Sequence, residues 1–419
     1  MAFHNWVTVL VGGFLCGCVY GTVLIWGNIS VYVIAYLRHE ANSDLTLYDG
    51  VMVNSLTLSL FMFSEPMGGK MILLINPLLT EALGAFLLVG GLFCSAFVKN
   101  LSELCITYGV MLGTGLGLMY CYPLKCAIEW NTERKGLVGG VISSGLGIGG
   151  CVWGQLTTAF LNPNNYPTGS RGEELPESVY KKVPSLFLLL SAIHATVLLI
   201  AFFFFVRKPP FRVSRESANF SFSHTAKRLE FWVLWVVFIC LSISGTFTSA
   251  MFREMGQGLQ DSKLSLVGSL ALLFDSVFQP LFGVLIDKTS SQVSLVLIQF
   301  GMFFFVLTYW FVTQVSFVLF GIWTVAIMAL YGGVIPTMIN LAADAFGVRN
   351  SSVGFAMLES CEGVGALVQI PVSLVLVDLV GILGVYCILA VLVLLSILTF
   401  FIFRHKLAKR KLEEEESLY

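Results

Sequence analysis

Charge is what this sequence has least of. Only 12% of its 419 residues are Asp, Glu, Lys or Arg, about half of the roughly 25% that a water-soluble domain carries. That deficit excludes an ordinary soluble fold. The few charges nearly cancel, to a net −1, so no long-range field points to nucleic acid or to an acidic partner. The ten cysteines show neither metal-ligand spacing nor a loop framework. Most lie inside apolar runs, where a thiol is a small buried side chain. No basic n-region precedes the apolar stretch that begins MAFHNWVTVLVGGF; its length favours an uncleaved first span over a signal peptide. Residue 2 is Ala and the last four residues lack Cys, so no lipid anchor is expected. There is no H-E-x-x-H pair, no nucleophile beside a base and no nucleotide-binding P-loop. Enzyme chemistry, a bound cofactor, a metal and direct drive by ATP are therefore not expected.

What is present is oil. Hydrophobic residues make up 57% of the chain and the mean hydropathy is +0.85. A helix crosses the hydrocarbon of a bilayer with roughly 20 apolar residues, because all its backbone polar groups must pair internally there. Apolar runs between polar breaks predict twelve spans: 6–37, 48–70, 72–97, 102–128, 137–161, 184–206, 231–252, 264–286, 293–313, 316–344, 351–377 and 382–403. With both termini on one side, sixteen Lys and Arg fall in the segments on that side and seven in those opposite. The positive-inside rule then makes the termini cytoplasmic.

The longest loop on the basic side separates the sixth and seventh spans. The expected organisation is a six-helix bundle over 1–206, a cytoplasmic linker over 207–230, a second six-helix bundle over 231–403 and a cytoplasmic tail over 404–419. The segment 162–183, rich in Pro, Asn and Gly, reads as an irregular surface loop. A shift of about 215 residues brings Gly68 onto Gly283, Arg134 onto Arg349 and Gly139 onto Gly354. That recurrence is the mark of an internal repeat, which would place a solute path between the halves near the midplane.

Ionisable groups at bilayer depth are costly and are site hypotheses by default. Asp275 lies about eleven residues into its span, roughly 16 Å at helical rise. Glu362 sits at similar depth in the eleventh span, and Glu359 shares its helix face three residues away. Neither burial nor a like neighbour favours the charged form of a carboxyl. Such groups suit two tasks: carrying a proton as the cavity changes face, or acting as counter-charge to a cationic or zwitterionic substrate. Glu359 alone can also be read as a neutral group bonded to a neighbouring helix. In the first half Trp26 and Asn28 lie mid-span in the first helix, Tyr20 one to two turns earlier and Tyr120 in the fourth span, suited to enclosing a small polar solute or to holding helices together. Lys125 and Glu129, four apart, read as a structural ion pair, and His194 as a packed, hydrogen-bonded histidine.

Five motifs carry a family likeness. Gly283-Val-Leu-Ile-Asp287-Lys288, closing the eighth span, resembles the G-x-L-x-D-r motif of the major facilitator superfamily. The corresponding Gly68-Gly69-Lys70-Met71-Ile72 keeps the glycine and loses the acid. The stretch Trp130-Asn-Thr-Glu133-Arg134-Lys135-Gly136-Leu137, with the glycines Gly140, Gly145, Gly147 and Gly149 after it, resembles the W-F-P-E-R-R-G-L-A-x-G signature of the oxalate:formate antiporter family. The monocarboxylate transporters have a similar pattern there, and Gly113-x-Gly115-x-Gly117-Leu-Met-Tyr120 resembles the fourth helix of both. Asp275-Ser-Val-Phe-Gln279-Pro280-x-x-Gly283 resembles the monocarboxylate transporters' D-x-x-x-R-P-x-x-G, and Asn350-Ser-Ser-Val-Gly354 with Glu359-Ser-Cys361 their eleventh helix.

The resemblance implies an all-α membrane protein of twelve helices in two pseudo-symmetric six-helix bundles, the major facilitator fold. It implies a secondary transporter of a small organic solute, with protons and the lipid bilayer as its other partners. Gly283, Asp287, Lys288, Arg134 and Arg349 would latch the halves. A monocarboxylate leads by resemblance. These families, however, hold a carboxylate with an eighth-helix arginine or an eleventh-helix lysine, and here those positions are Gln279 and, at or near it, Glu362. An amino acid or organic cation is therefore the second reading, and a non-transporting sensor on the same scaffold a third. A plasma membrane is expected rather than an organelle membrane.

Overall fold

The computed structural model of the chain describes residues 2–41, 45, 47–130, 134–164, 166, 176–206, 225–255, 261–346 and 351–416. Among the described residues the chain is helical almost throughout, and its long helical segments are twelve. In chain order, α1 runs Ala2–Tyr20, tightens into a 3-10 turn over Gly21–Ile25 and resumes over Trp26–Ala41. Then come α2 (Leu47–Leu74), α3 (Pro77–Ser95) and α4, which starts at Leu101–Leu104, widens to a π-helix over Cys105–Leu112 and continues over Gly113–Trp130. The first bundle closes with α5 (Lys135–Leu161) and α6 (Val183–Val206). The second bundle holds α7 (Leu229–Met255), α8 (Asp261–Lys288), α9 (Ser291–Thr313) and α10 (Phe317–Gly332, continuing over Val334–Phe346). It ends with α11 (Ser351–Pro371 and a π-helical turn Val372–Leu376) and α12 (Val377–Glu416, broken at Gly381).

Ten of these segments are long and apolar enough, by length and composition, to cross a membrane. Where described loops are short, polar side chains start the next helix by accepting its orphan N–H groups. Asn76 accepts from the Leu78 N–H ahead of α3, with Pro77 at the first helical position; Ser290 does the same for Val293 ahead of α9 and Ser316 for Val318 ahead of α10. Before α4, Asn100 accepts from the Glu103 N–H at 2.9 Å while the Glu103 carboxylate accepts from the Lys99 N–H at 2.8 Å. Pro66, Pro123 and Pro280 lie inside helices, which membrane spans tolerate when neighbours re-satisfy the freed carbonyls. Gly381, at φ 69°, makes the turn between α11 and the body of α12, a backbone region that a Cβ disfavours.

The outer face is apolar and open: Phe86, Leu199 and Val391 are each more than 60% exposed, as side chains facing acyl tails would be. The bundles meet along two seams. In one, α5 lies on α8 glycine to backbone: a Cβ at Gly136 would stand 2.5 Å from the Gly283 carbonyl oxygen, and one at Gly140 would stand 2.6 Å from that of Gln279. In the other, α2 lies on α11 through side chains, with Gly69 against Val353 and Gly363 against Met62.

Three differences from the sequence reading are local. The segment 162–183 contains a one-turn helix, Glu177–Tyr180, whose Lys181 pairs with Glu177. The first helix is not a single uniform span. The segment 404–416 continues α12 rather than leaving it, because Lys, Arg, Leu and Glu are good helix formers.

Candidate functional site

The site is built where the two bundles face each other. Asp275 sits on α8 opposite the α5 glycines: a Cβ at Gly147 would stand 3.5 Å from its Oδ2. One turn on, the Gln279 side-chain amide donates to the same oxygen at 3.2 Å. Gln279 is buried, and its own carbonyl oxygen has no partner. On α11 the Glu362 carboxylate, half-buried, accepts from Ser242 of α7 at 3.0 Å and from Tyr331 of α10 at 3.2 Å. Asp275 and Glu362 lie close enough to feel each other electrostatically. Two carboxyls on different helices of the second bundle are thus each held by neutral donors.

Glu359, one turn before Glu362, points elsewhere. It is 2% exposed and meets Glu65 of α2, which is fully buried. Tyr120 of α4 packs beside this pair, its ring stacked on Phe355 of α11 at 6.1 Å and tilted against Tyr20 of α1 at 5.5 Å. The Tyr20 hydroxyl donates to the Met119 carbonyl at 3.2 Å. Glu81 of α3 is also fully buried, with Tyr20 and Cys16 of α1 as electrostatic neighbours.

Glu65 and Glu81 are the residues the sequence reading passes over. Both stand within apolar stretches of their helices, and an acid at bilayer depth was the signal available. Asp275, Gln279, Glu359, Glu362, Tyr120 and Tyr20 gather at or beside the meeting of the bundles. Trp26 and Asn28 do not join them. Trp26 packs inside the first bundle against Tyr108, ring centroids 5.1 Å apart, and Asn28 is exposed beside Gly154 of α5. His194 is fully buried, bonded to the Thr22 hydroxyl and to the Leu190 carbonyl, with Trp153 beside it; this is the packed histidine that the sequence suggests.

The residues expected to latch the halves lie at the end of the molecule where α5 begins and α8 finishes. The Asp287 carboxylate accepts from the backbone N–H of Gly136 at 3.0 Å and of Leu137 at 2.9 Å. An acid from the second bundle thereby caps the first turn of a helix in the first, where the helix dipole and orphan N–H groups favour negative charge. Gly283, one turn earlier, makes this approach possible by lying against Gly136. Lys288 is exposed at the end of α8, and Arg134 is exposed just before α5. Arg349 and Glu133 lie outside the described residues. Pseudo-symmetry places Gly69 against Val353 at the matching seam, with no acid in the Lys70–Ile72 stretch to repeat the cap.

Set beside known structures, the chain matches that of the proton:xylose symporter XylE bound to 6-bromo-6-deoxy-D-glucose with a TM-score of 0.70, covering 96% of each chain at 12% identity. The chain carries the major facilitator fold. The family model described as Major Facilitator Superfamily matches residues 235–418. Among curated relatives, the Apicoplast pyruvate carrier 1 of Toxoplasma gondii is 27% identical over 379 residues, covering 70% of this chain and 69% of that protein. The Oxalate:formate antiporter of Oxalobacter formigenes is 22% identical over 232 residues, covering 54% of this chain and 51% of that protein. The likeness read from Trp130–Gly149 and from Gly283–Lys288 is therefore supported by sequence and by fold, and the chain is a multi-pass integral membrane protein.

Proposed function

We propose that the chain is a secondary active transporter that moves a small organic solute, a monocarboxylate first among candidates, by proton-coupled or exchange alternating access, and that it is not an enzyme. The observation that carries this reading is the pair Asp275 and Glu362. They stand on different helices of one bundle, with Asp275 beside α5 of the other, and among the described residues their hydrogen bonds come from neutral donors, Gln279, Ser242 and Tyr331. Acids held this way bind a proton when the space faces one side and release it when it faces the other. A proton arriving with an anionic substrate also removes the charge repulsion that a bare carboxylate would meet. Tyr20 and Tyr120 serve in this reading as the aromatic flank of a solute path between the bundles. Arg134, Arg349 and Lys288 assist the Asp287 latch. The relatives named for pyruvate and for oxalate and formate support a carboxylate substrate.

A second reading, an amino acid or organic cation, rests on Gln279 standing where the related carriers keep an arginine. The Lys and Arg distribution supports cytoplasmic termini. A plasma membrane remains our assignment, with an organelle membrane favoured if the likeness to an apicoplast carrier extends to location.

Vesicles containing the purified chain and a trapped pH dye test the reading. Pyruvate added outside at acid pH should enter and acidify the lumen, faster as the outer pH falls. Asp275→Asn should flatten that pH dependence. If pyruvate moves neither itself nor protons while a cationic solute does, the second reading replaces the first. An unchanged pH profile in the variant removes Asp275 from the coupling role.

A further inference from the structure

The carboxyls of Glu65 and Glu359 meet across the α2–α11 seam, which joins the two bundles at the end capped by Asp287. Glu65 is fully buried and Glu359 is 2% exposed. Among the described residues, no hydrogen-bond donor reaches either oxygen of Glu65 or Oε2 of Glu359. Around them the seam is tight: the Ser59 hydroxyl donates to the Gly363 carbonyl at 3.4 Å, a Cβ at Gly363 would stand 2.9 Å from Met62, and Phe355 stacks on Tyr120. Two ionised carboxylates cannot stand side by side in such a place. Each would forfeit its hydration without a compensating donor, and each would repel the other at low dielectric. The one donor that satisfies both is a proton held between them, as in paired carboxylates elsewhere that share one proton.

We propose that Glu65 and Glu359 share a proton across the α2–α11 seam, and that this proton holds that end of the molecule closed. The step balances simply: a carboxylic acid bonded to a carboxylate becomes two carboxylates, and the proton passes to water as the seam parts. The groups that face the pair are Tyr120, Cys121 and, near Cys121, Lys125 from α4, Glu362 from α11, and Glu81 from α3 through Cys121. Behind Glu362 stand Ser242, Tyr331 and Asp275. All the acids in that set act against a second charge on the pair. The inference deepens the proton-coupled reading above and rests on it for a role in transport, so its test uses no substrate.

The purified chain in lipid nanodiscs is followed by infrared difference spectroscopy as pH is raised. Wild type should lose a protonated-carboxyl band. Glu65→Gln and Glu359→Gln should each delete that same band, and the double variant should delete no more, because one proton belongs to both residues. Cys121, buried between α2 and α4 with Gly69 close to its sulfur, reports opening by its alkylation relative to exposed Cys387. In wild type that ratio should rise by about tenfold per pH unit over the range in which one proton leaves. In Glu65→Gln the amide N–H replaces the proton as donor, and the ratio should stay flat. Bands that delete additively, one for each residue, or a ratio that climbs equally in wild type and in both single variants, would overturn the proposal. A chain that moves no pyruvate can still pass this test, and a pyruvate carrier can still fail it.

Discussion

Gly140→Ala places one methyl group where the structure has no room for it. The added Cβ would stand 2.6 Å from the Gln279 carbonyl oxygen and 2.8 Å from the Pro280 Cα, both backbone atoms that no rotamer change can move. Ordinary contact needs about 3.5 Å, so α5 and α8 must part by several tenths of an ångström along the seam. Overpacking of this kind costs about 1–3 kcal/mol. The same substitution favours helix by up to about 1 kcal/mol, but it does so whether the seam is closed or parted. The closed arrangement alone bears the clash, and the balance should shift toward opening by about 5–150-fold. Peptide-resolved alkylation of Cys121 in the purified chain reads that shift, with Cys387 as reference. The ratio should rise within this range while the thermal unfolding midpoint moves little. A variant that remains folded with an unaltered Cys121 ratio would refute the claim that the α5–α8 seam is closed by backbone contact.

The other perturbations are simpler. Asp287→Ala removes both acceptors from the first turn of α5 and should cost the closed state about 0.5–2 kcal/mol, whereas Asp287→Asn, keeping one acceptor, should cost less; the same alkylation ratio ranks the three proteins. Gly381→Ala forces a Cβ into the φ 69° turn and should lower stability by about 1–2 kcal/mol, read as a fall in the unfolding midpoint without change in the Cys121 ratio. Equal stability of Gly381→Ala and wild type would mean that this turn adopts another conformation.

Spans and the contact of Asp287 were legible because both are local. A run of apolar residues states its own burial, and Asp287 follows Gly283 in a pattern whose geometry needs only one helix end and one neighbour. Asp275, Glu359 and Glu362 were legible as acids in oil, and Gln279 as a departure from the arginine of related carriers. What local reading could not supply was partnership. Glu65 lies five residues before the polar break at Lys70, close enough to a predicted helix end to pass as interfacial, and only its contact with α11, nearly 300 residues away, shows it to be buried. Trp26 and Asn28 stand apart from the acids for a related reason. Their depth is right, but the 3-10 turn at Gly21–Ile25 resets which side of α1 they occupy, and no periodicity that assumes a regular helix anticipates that rotation.

The two seams differ in what they are made of. Where Gly136 and Gly140 of α5 rest on the main chain of α8, there is no side chain to swing aside, so that contact cannot loosen by degrees. Where Val353 and Met62 fill the approach of α2 to α11, each group can turn away in sequence. A rocking molecule assembled from these parts lets go all at once on one flank and yields by steps on the other, so widening at the α2–α11 flank comes first.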